Sequence, residues 1–217
     1  MNRKIYLLLF FLFLLLYIIF TISLKFVDVK PIGPNDSLVG YSLINGWFHK
    51  LTGVNMLLYN ITDYGGIPPI IMGMLFGIMG LIQLVKRKSF KRVDRELIVL
   101  GCFYIIVFLV YLTFEFVVIN RRPVLINGRL EVSYPSSTTF LSITFMLSAI
   151  PLVNKYISNK TAFNAIKIIF IIYMLFLVVG RMLSGVHWLT DIMGSVLISV
   201  SLLMGYKYFG KYYVKQL

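Results

Sequence analysis

Between two long apolar stretches the sequence places Arg181, His187 and Asp191 within the run Gly180 to Asp191. A charged or titratable group at a membrane boundary is costly unless it is paired or put to use. If a helix begins near Trp188, His187 and Asp191 stand four residues apart on one face. The carboxylate then accepts from one imidazole nitrogen and leaves the other free. An imidazole held in this way is an oriented nucleophile or base. Arg181, six residues upstream of His187 and across a Ser-Gly turn, returns to the same point as an anion clamp. Arg, His and Asp in this pattern read as phosphate chemistry.

Two further segments supply matching groups. Asn120-Arg121-Arg122-Pro123 follows one apolar run, and Tyr134-Pro135-Ser136-Ser137-Thr138 opens the next. Proline followed by three hydroxyl residues starts a helix whose first N–H groups lack intrahelical acceptors, a ready anion site. Arginines, a helix N-terminus and an oriented imidazole together make a phosphate pocket, provided the fold brings them to one face.

Composition says which elements must do so. The chain has 217 residues, 59% of them hydrophobic and only 13% charged, with a mean hydropathy of +0.88. That excludes a soluble globular domain and indicates a single polytopic membrane domain. The net charge of +13 comes without a soluble basic domain or an RNA-binding signature, so no nucleic-acid partner is expected. Cys102 is the single cysteine, which excludes a disulfide framework. The two histidines are far apart and the carboxylates scattered, so neither a metal site nor another cofactor is expected.

Six apolar segments, about 5–24, 67–85, 98–119, 138–153, 165–179 and 191–206, are long enough to span a bilayer and predict an all-α bundle of six transmembrane helices. The first lacks a small-residue cleavage site and reads as a retained helix. Residues 25–66 are mixed in character and read as an interfacial lid. Within it Asp36 or Ser37 caps a short helix ending near Gly53, and Tyr41, Trp47 and Phe48 suit the headgroup level. His49, beside Lys50, reads as a surface residue. Gly73 and Gly77 read as a close helix-packing stripe.

Six spans put both termini on one side. That side collects fourteen Lys and Arg residues, including the loop from Lys86 to Arg95 and the tail lysines Lys207, Lys211 and Lys215, against seven on the other. The bias predicts cytoplasmic termini in a bacterial plasma membrane, with the segments around Arg122, Ser136 and His187 facing outward together.

The three segments resemble the signature of the type 2 phosphatidic acid phosphatase superfamily, whose fold is shared with vanadium haloperoxidases. The family pattern is Lys-x6-Arg-Pro, then Pro-Ser-Gly-His, then Ser-Arg-x5-His-x3-Asp. Arg122-Pro123, Pro135-Ser136 and Arg181, His187 and Asp191 match it in order. The resemblance implies a membrane lipid phosphatase acting without metal. His187 would form a phosphohistidine, with Asp191 orienting it. Arg122, Arg181, Ser136 and the amides after Ser136, with Ser137 among the binding residues, would hold the phosphoryl oxygens.

Two positions depart from the pattern: Thr138 stands where the family has its acid histidine, and Glu115 where it has lysine. A threonine hydroxyl cannot supply a proton near neutral pH. A diphosphate, which expels a phosphate rather than an alkoxide, is therefore the expected substrate class, with a polyprenyl diphosphate favoured over phosphatidate or phosphatidylglycerophosphate. Glu131 or Glu115 could replace the missing acid. The competing expectations are a lipid-phosphate binding or transport-associated protein that has lost turnover, and a phosphotransferase that passes the phosphoryl group to another acceptor.

Overall fold

The computed structural model describes residues 2–214; Met1 and residues 215–217, Lys215 among them, lie outside the described residues, as do the side chains beyond Gly210. The architecture is all-α: α1 (Arg3–Ser23), α2 (Ser42–Thr52), α3 (Met56–Tyr64), α4 (Ile67–Arg87), α5 (Arg95–Phe116), α6 (Ser137–Tyr156), α7 (Lys160–Leu183) and α8 (Leu189–Val214). Six candidate spans are long and apolar enough to cross a membrane. The expected bundle is thus present.

Burial divides the six into two kinds. In α6 and α8 the most apolar windows are 61% and 67% buried within the protein, against 6–22% for the other four. The sequence accounts for this. α6 and α8 carry Ser142, Thr144, Ser148, Ser195, Ser199 and Ser201, all buried. Most of these hydroxyls return to carbonyls of the helices, as Thr144 Oγ1 does to Phe140 O at 2.8 Å and Ser195 Oγ to Asp191 O at 2.9 Å. Small hydroxyl residues let backbones approach closely. The remaining spans present Leu, Ile, Val and Phe to their surroundings, as surfaces facing lipid must. α1 packs along α8, and α7 and α4 pack against α6.

Several boundaries differ from the sequence expectation. The third span ends at Phe116 rather than near Ile119, because the chain turns extended at Val117 to enter a loop. The fifth and sixth are longer than expected, running over Lys160–Leu183 and Leu189–Val214. In the lid, neither Asp36 nor Ser37 caps α2. A backbone bridge between Lys30 and Val39 ties residues 31–38 into a loop, and the helix starts only at Ser42. Its cap comes from a distance: Asp28 Oδ2 accepts from Leu43 N at 2.7 Å. The helix does end at Gly53. A second lid helix, α3, then leads through Gly65 and Gly66 into α4. Gly73 packs against the ring of Phe145, while Gly77 meets open space, so only the first of the pair serves close packing.

The other end of the bundle is pinned by charge. Asp94 receives hydrogen bonds from Arg87 Nη1 (2.8 Å), the Tyr156 hydroxyl (2.6 Å) and Gln83 Nε2 (3.1 Å), with Lys155 Nζ at 3.6 Å. This network joins the ends of α4, α5 and α6.

Candidate active site

The two most buried helices, α6 and α8, both begin at the same end of the bundle, and the polar residues gather where they begin. Ser136 N donates to Asp191 O at 3.3 Å, which locks the two helix starts together. The side chain of Ser136 caps nothing and bonds to Thr139 Oγ1 at 3.1 Å instead. The first backbone N–H groups of α6 are therefore left with no side-chain cap, the condition for an anion site at a helix N-terminus.

Asp191 belongs to the first turn of α8 and is fully buried. Its Oδ2 accepts from Trp188 N at 3.0 Å, the back-bond of a capping box, and its Oδ1 accepts from Asn120 Nδ2 at 3.2 Å. His187 precedes the helix rather than sharing a face with Asp191. Its Nδ1 lies 3.1 Å from Ser133 O and 3.5 Å from Asp191 Oδ2. With both neighbours of Nδ1 acceptors, the proton belongs on Nδ1 and the lone pair on Nε2. Nε2 points at Arg122 Nη1, 3.2 Å away. Burial, followed by the positive charges of Arg122 and Arg181, holds the His187 pKa well below the usual histidine value, against a smaller opposing contribution from the Ser133 carbonyl. The imidazole is therefore neutral.

Arg122 is delivered by a small hairpin that sequence reading missed. Arg121 pairs with Val132 and Ile126 with Arg129, and the turn between them is Asn127-Gly128, both at positive φ. Asn-Gly between apolar flanks is the strongest short hairpin signal and was visible in the sequence. The pairing sets Arg122 N on Glu131 O at 3.0 Å. It also brings Glu131 Oε2 to 3.0 Å from Arg122 Nε, an ion pair whose angle leaves the Nε–H without a hydrogen-bond acceptor.

These groups open on a cavity of about 420 Å³. Arg122, Glu131, Ser137 and His187 line its polar end, and Val110, Phe114 and Phe140 line an apolar side along α5 and α6. Glu115 and Tyr111 are also on its wall. Ser136 and Thr138 are buried behind it, Thr138 packing against Gly66.

Arg181 is placed differently from the clamp expected of it. It is 1% exposed, and its Nη2 pairs with Asp63 Oδ1 at 2.9 Å while Nη1 reaches Tyr59 O at 3.4 Å. The Tyr59 ring lies 4.7 Å from this guanidinium and 5.6 Å from that of Arg122. Arg181 is close enough to act on His187 through its charge, yet it does not line the cavity.

The lid is fastened to this machinery. Asn45 of α2 donates to Thr190 Oγ1 at 3.0 Å and accepts from Thr190 N at 3.2 Å. His49 is not a surface residue: it is half-buried with its ring 5.5 Å from that of Trp188, and burial pushes its pKa down despite the nearby Gly185 backbone. Gly185 itself is required. Its φ is +68°, and a Cβ there would sit 1.7 Å from Gly53 O. Asn45, Ser133, Tyr59 and Asp63 had no motif to announce them.

Among the described residues no group of three or more His, Cys, Asp or Glu gathers as metal ligands do. The family model of the PAP2 superfamily matches residues 103–215, from α5 through α8. No curated protein sequence matches the chain. Among solved structures, the chain is similar to one described as the crystal structure of the first transmembrane PAP2 type phosphatidylglycerolphosphate phosphatase from Bacillus subtilis. The two share 18% identity with a TM-score of 0.58, over 94% of this chain and 96% of that one.

Proposed function

The chain belongs to the PAP2 superfamily, and from that premise we propose that it is a membrane lipid phosphatase that works through a phosphohistidine at His187. The observation carrying this reading is the disposition of His187: Nδ1 held between two acceptors, Nε2 turned to Arg122 on the wall of a cavity with an apolar side. A neutral imidazole with Nε2 so aimed attacks phosphorus in line. Arg122 and the open N–H groups of α6 take the charge that develops on the phosphoryl oxygens. Asp191 stabilises the imidazolium formed as the phosphohistidine appears, and water then releases phosphate.

Unless another group on the cavity wall supplies a proton, leaving-group chemistry favours a lipid diphosphate, such as a polyprenyl diphosphate, over phosphatidate or phosphatidylglycerophosphate. Thr138 lies behind the cavity wall and has no acidic proton, and a missing acid costs an alkoxide leaving group a factor of roughly 10²–10⁴. A phosphate leaving group loses much less. The apolar flank of Val110, Phe114 and Phe140 suits the chain next to the phosphate. Among the described residues no cluster of His, Cys, Asp or Glu gathers as metal ligands do, and turnover that withstands chelators is the outcome this reading expects.

The test is phosphate release by detergent-purified protein from polyprenyl diphosphate, phosphatidate and phosphatidylglycerophosphate, with EDTA present, beside His187→Ala. Release that disappears in the variant, with an acid-labile phosphoenzyme trapped from the wild type, supports the reading. Lipid binding without release, unchanged in His187→Ala, would replace it with a binding protein.

A further inference from the structure

The cavity lacks the family's acid histidine, yet a carboxyl group stands on its wall beside the arginine that faces the nucleophile. We propose that Glu131 is a catalytic residue: it gives a proton to the leaving oxygen of lipid phosphate monoesters and takes one from water in the second step. This inference rests on the phosphatase reading above.

Four observations carry it. Glu131 lines the same cavity as His187, Arg122 and Ser137. Its Oε2 meets Arg122 at Nε, while His187 Nε2 meets the same guanidinium at Nη1, so one planar group lies between nucleophile and carboxylate. A phosphoryl group seated on Arg122 and attacked from Nε2 leaves in the direction away from His187, toward the carboxyl. The hairpin fixes the position through Arg122 N to Glu131 O at 3.0 Å and the Asn127-Gly128 turn. The side chain is 42% exposed, so it exchanges protons with water.

The alternatives are placed less well. Thr138 packs against Gly66 behind the wall. Glu115 reaches the cavity from α5 beside Tyr111, and among the described residues no ion pair joins it to Arg122 as one joins Glu131.

The Glu131 carboxylate occupies an edge of Arg122 that a substrate phosphate would claim. Binding exchanges one anion for another. Glu131 then loses its cation and stands beside the phosphate, and the acid role requires that it carry a proton there. In the first step the Nε2–P bond forms and the P–O bond to the lipid breaks, the electron pair leaving with that oxygen, which takes the Glu131 proton to give the lipid alcohol. In the second, Glu131 accepts a proton from water as its oxygen bonds to phosphorus and the P–N bond breaks. Inorganic phosphate departs, His187 recovers its lone pair and Glu131 recovers its proton.

The experiment compares the rate of phosphoenzyme formation in single turnovers of wild type, Glu131→Gln and Glu115→Gln, from phosphatidate and from a polyprenyl diphosphate, with thermal melting to confirm folding. Glu131→Gln should lose about 10²–10³-fold on the monoester and less than about tenfold on the diphosphate, while Glu115→Gln keeps the substrate ratio. An aryl phosphate with a good leaving group should phosphorylate Glu131→Gln at near the wild-type rate, and the phosphoenzyme so formed should then hydrolyse more slowly than in the wild type. Equal losses on all substrates, no loss, or the selective loss appearing in Glu115→Gln instead would overturn the proposal. So would a wild type that cleaves the diphosphate and ignores the monoester, although the phosphatase reading would then stand. A wild type that forms no phosphoenzyme from any substrate would remove both.

Discussion

Arg122 Nη1 stands 3.2 Å from His187 Nε2, so an arginine donor covers the lone pair that the chemistry needs. The contact keeps the imidazole neutral and aimed. A cation so close opposes protonation of the ring, as burial does more strongly. A phosphate drawn to Arg122 arrives already beside the attacking atom.

This neutrality has a consequence for stability. In the unfolded chain His187 titrates near 6.5, whereas in the fold its pKa lies well below that. As pH falls below 6.5 the unfolded state takes up the proton first, so folded stability declines by up to about 1.4 kcal/mol per pH unit until the buried ring also protonates. Melting wild type and His187→Gln in detergent at about pH 7.5, 6.5 and 5.5 checks this. The wild type should lose ground to the variant as pH falls; a constant difference would mean the ring titrates at its ordinary value.

Asp191→Asn should keep the accepting Oδ for Trp188 N and so leave α8 started as before. It removes the negative charge 3.5 Å from Nδ1. The phosphohistidine step should slow by on the order of 10³–10⁴. Single-turnover phosphoenzyme formation measures it, and a change confined to KM would contradict the orienting role.

Much of this site was legible because its chemistry constrains residue type. Arg122, His187 and Asp191 announce themselves by spacing and by their cost beside a membrane, and six apolar runs announce the bundle. The lid was not legible for a physical reason: its helix is capped by Asp28 from well before its start, and Asn45 is held by Thr190 across most of the chain. Local patterns carry no trace of such partners. Arg181 shows the converse. Its motif position is plain in the sequence, but its commitment to Asp63 depends on α3, which has no signature of its own. The hairpin was legible and was missed, since Asn127-Gly128 alone sets Glu131 opposite Arg122.

Gly185→Ala should be severe although it removes no functional group. The positive φ and the 1.7 Å approach of a Cβ to Gly53 O combine strain with overpacking, together roughly 2–4 kcal/mol. Relief requires the Gly53–Val54 loop to lift, which releases the end of α2. Protease sensitivity in residues 50–55 measures that, and an unchanged cleavage pattern would show that the loop does not rest on Gly185.

Asp94→Ala tests the opposite end of the bundle. The Tyr156 hydroxyl first, then Arg87 and Gln83 with the charge of Lys155, hold the Asp94 carboxyl below its usual range despite partial burial. Its stabilisation is thus complete above about pH 4 and is lost as pH falls below that. The variant should cost about 1–3 kcal/mol at neutral pH and leave phosphate release at low temperature intact. Denaturation monitored at pH 7 and again near pH 3 separates the two, since the difference from wild type should shrink in acid.

The packing of α1 along α8 bears on how the molecule is made. The helix synthesised first of the six finds its main protein neighbour in the one synthesised last. Until α8 enters the membrane, α1 can only wait in lipid, which its apolar surface permits. α8 also brings Asp191 and draws His187 into place. Closure of the bundle and completion of the site are therefore one event in biogenesis, and a nascent chain arrested short of α8 would have neither.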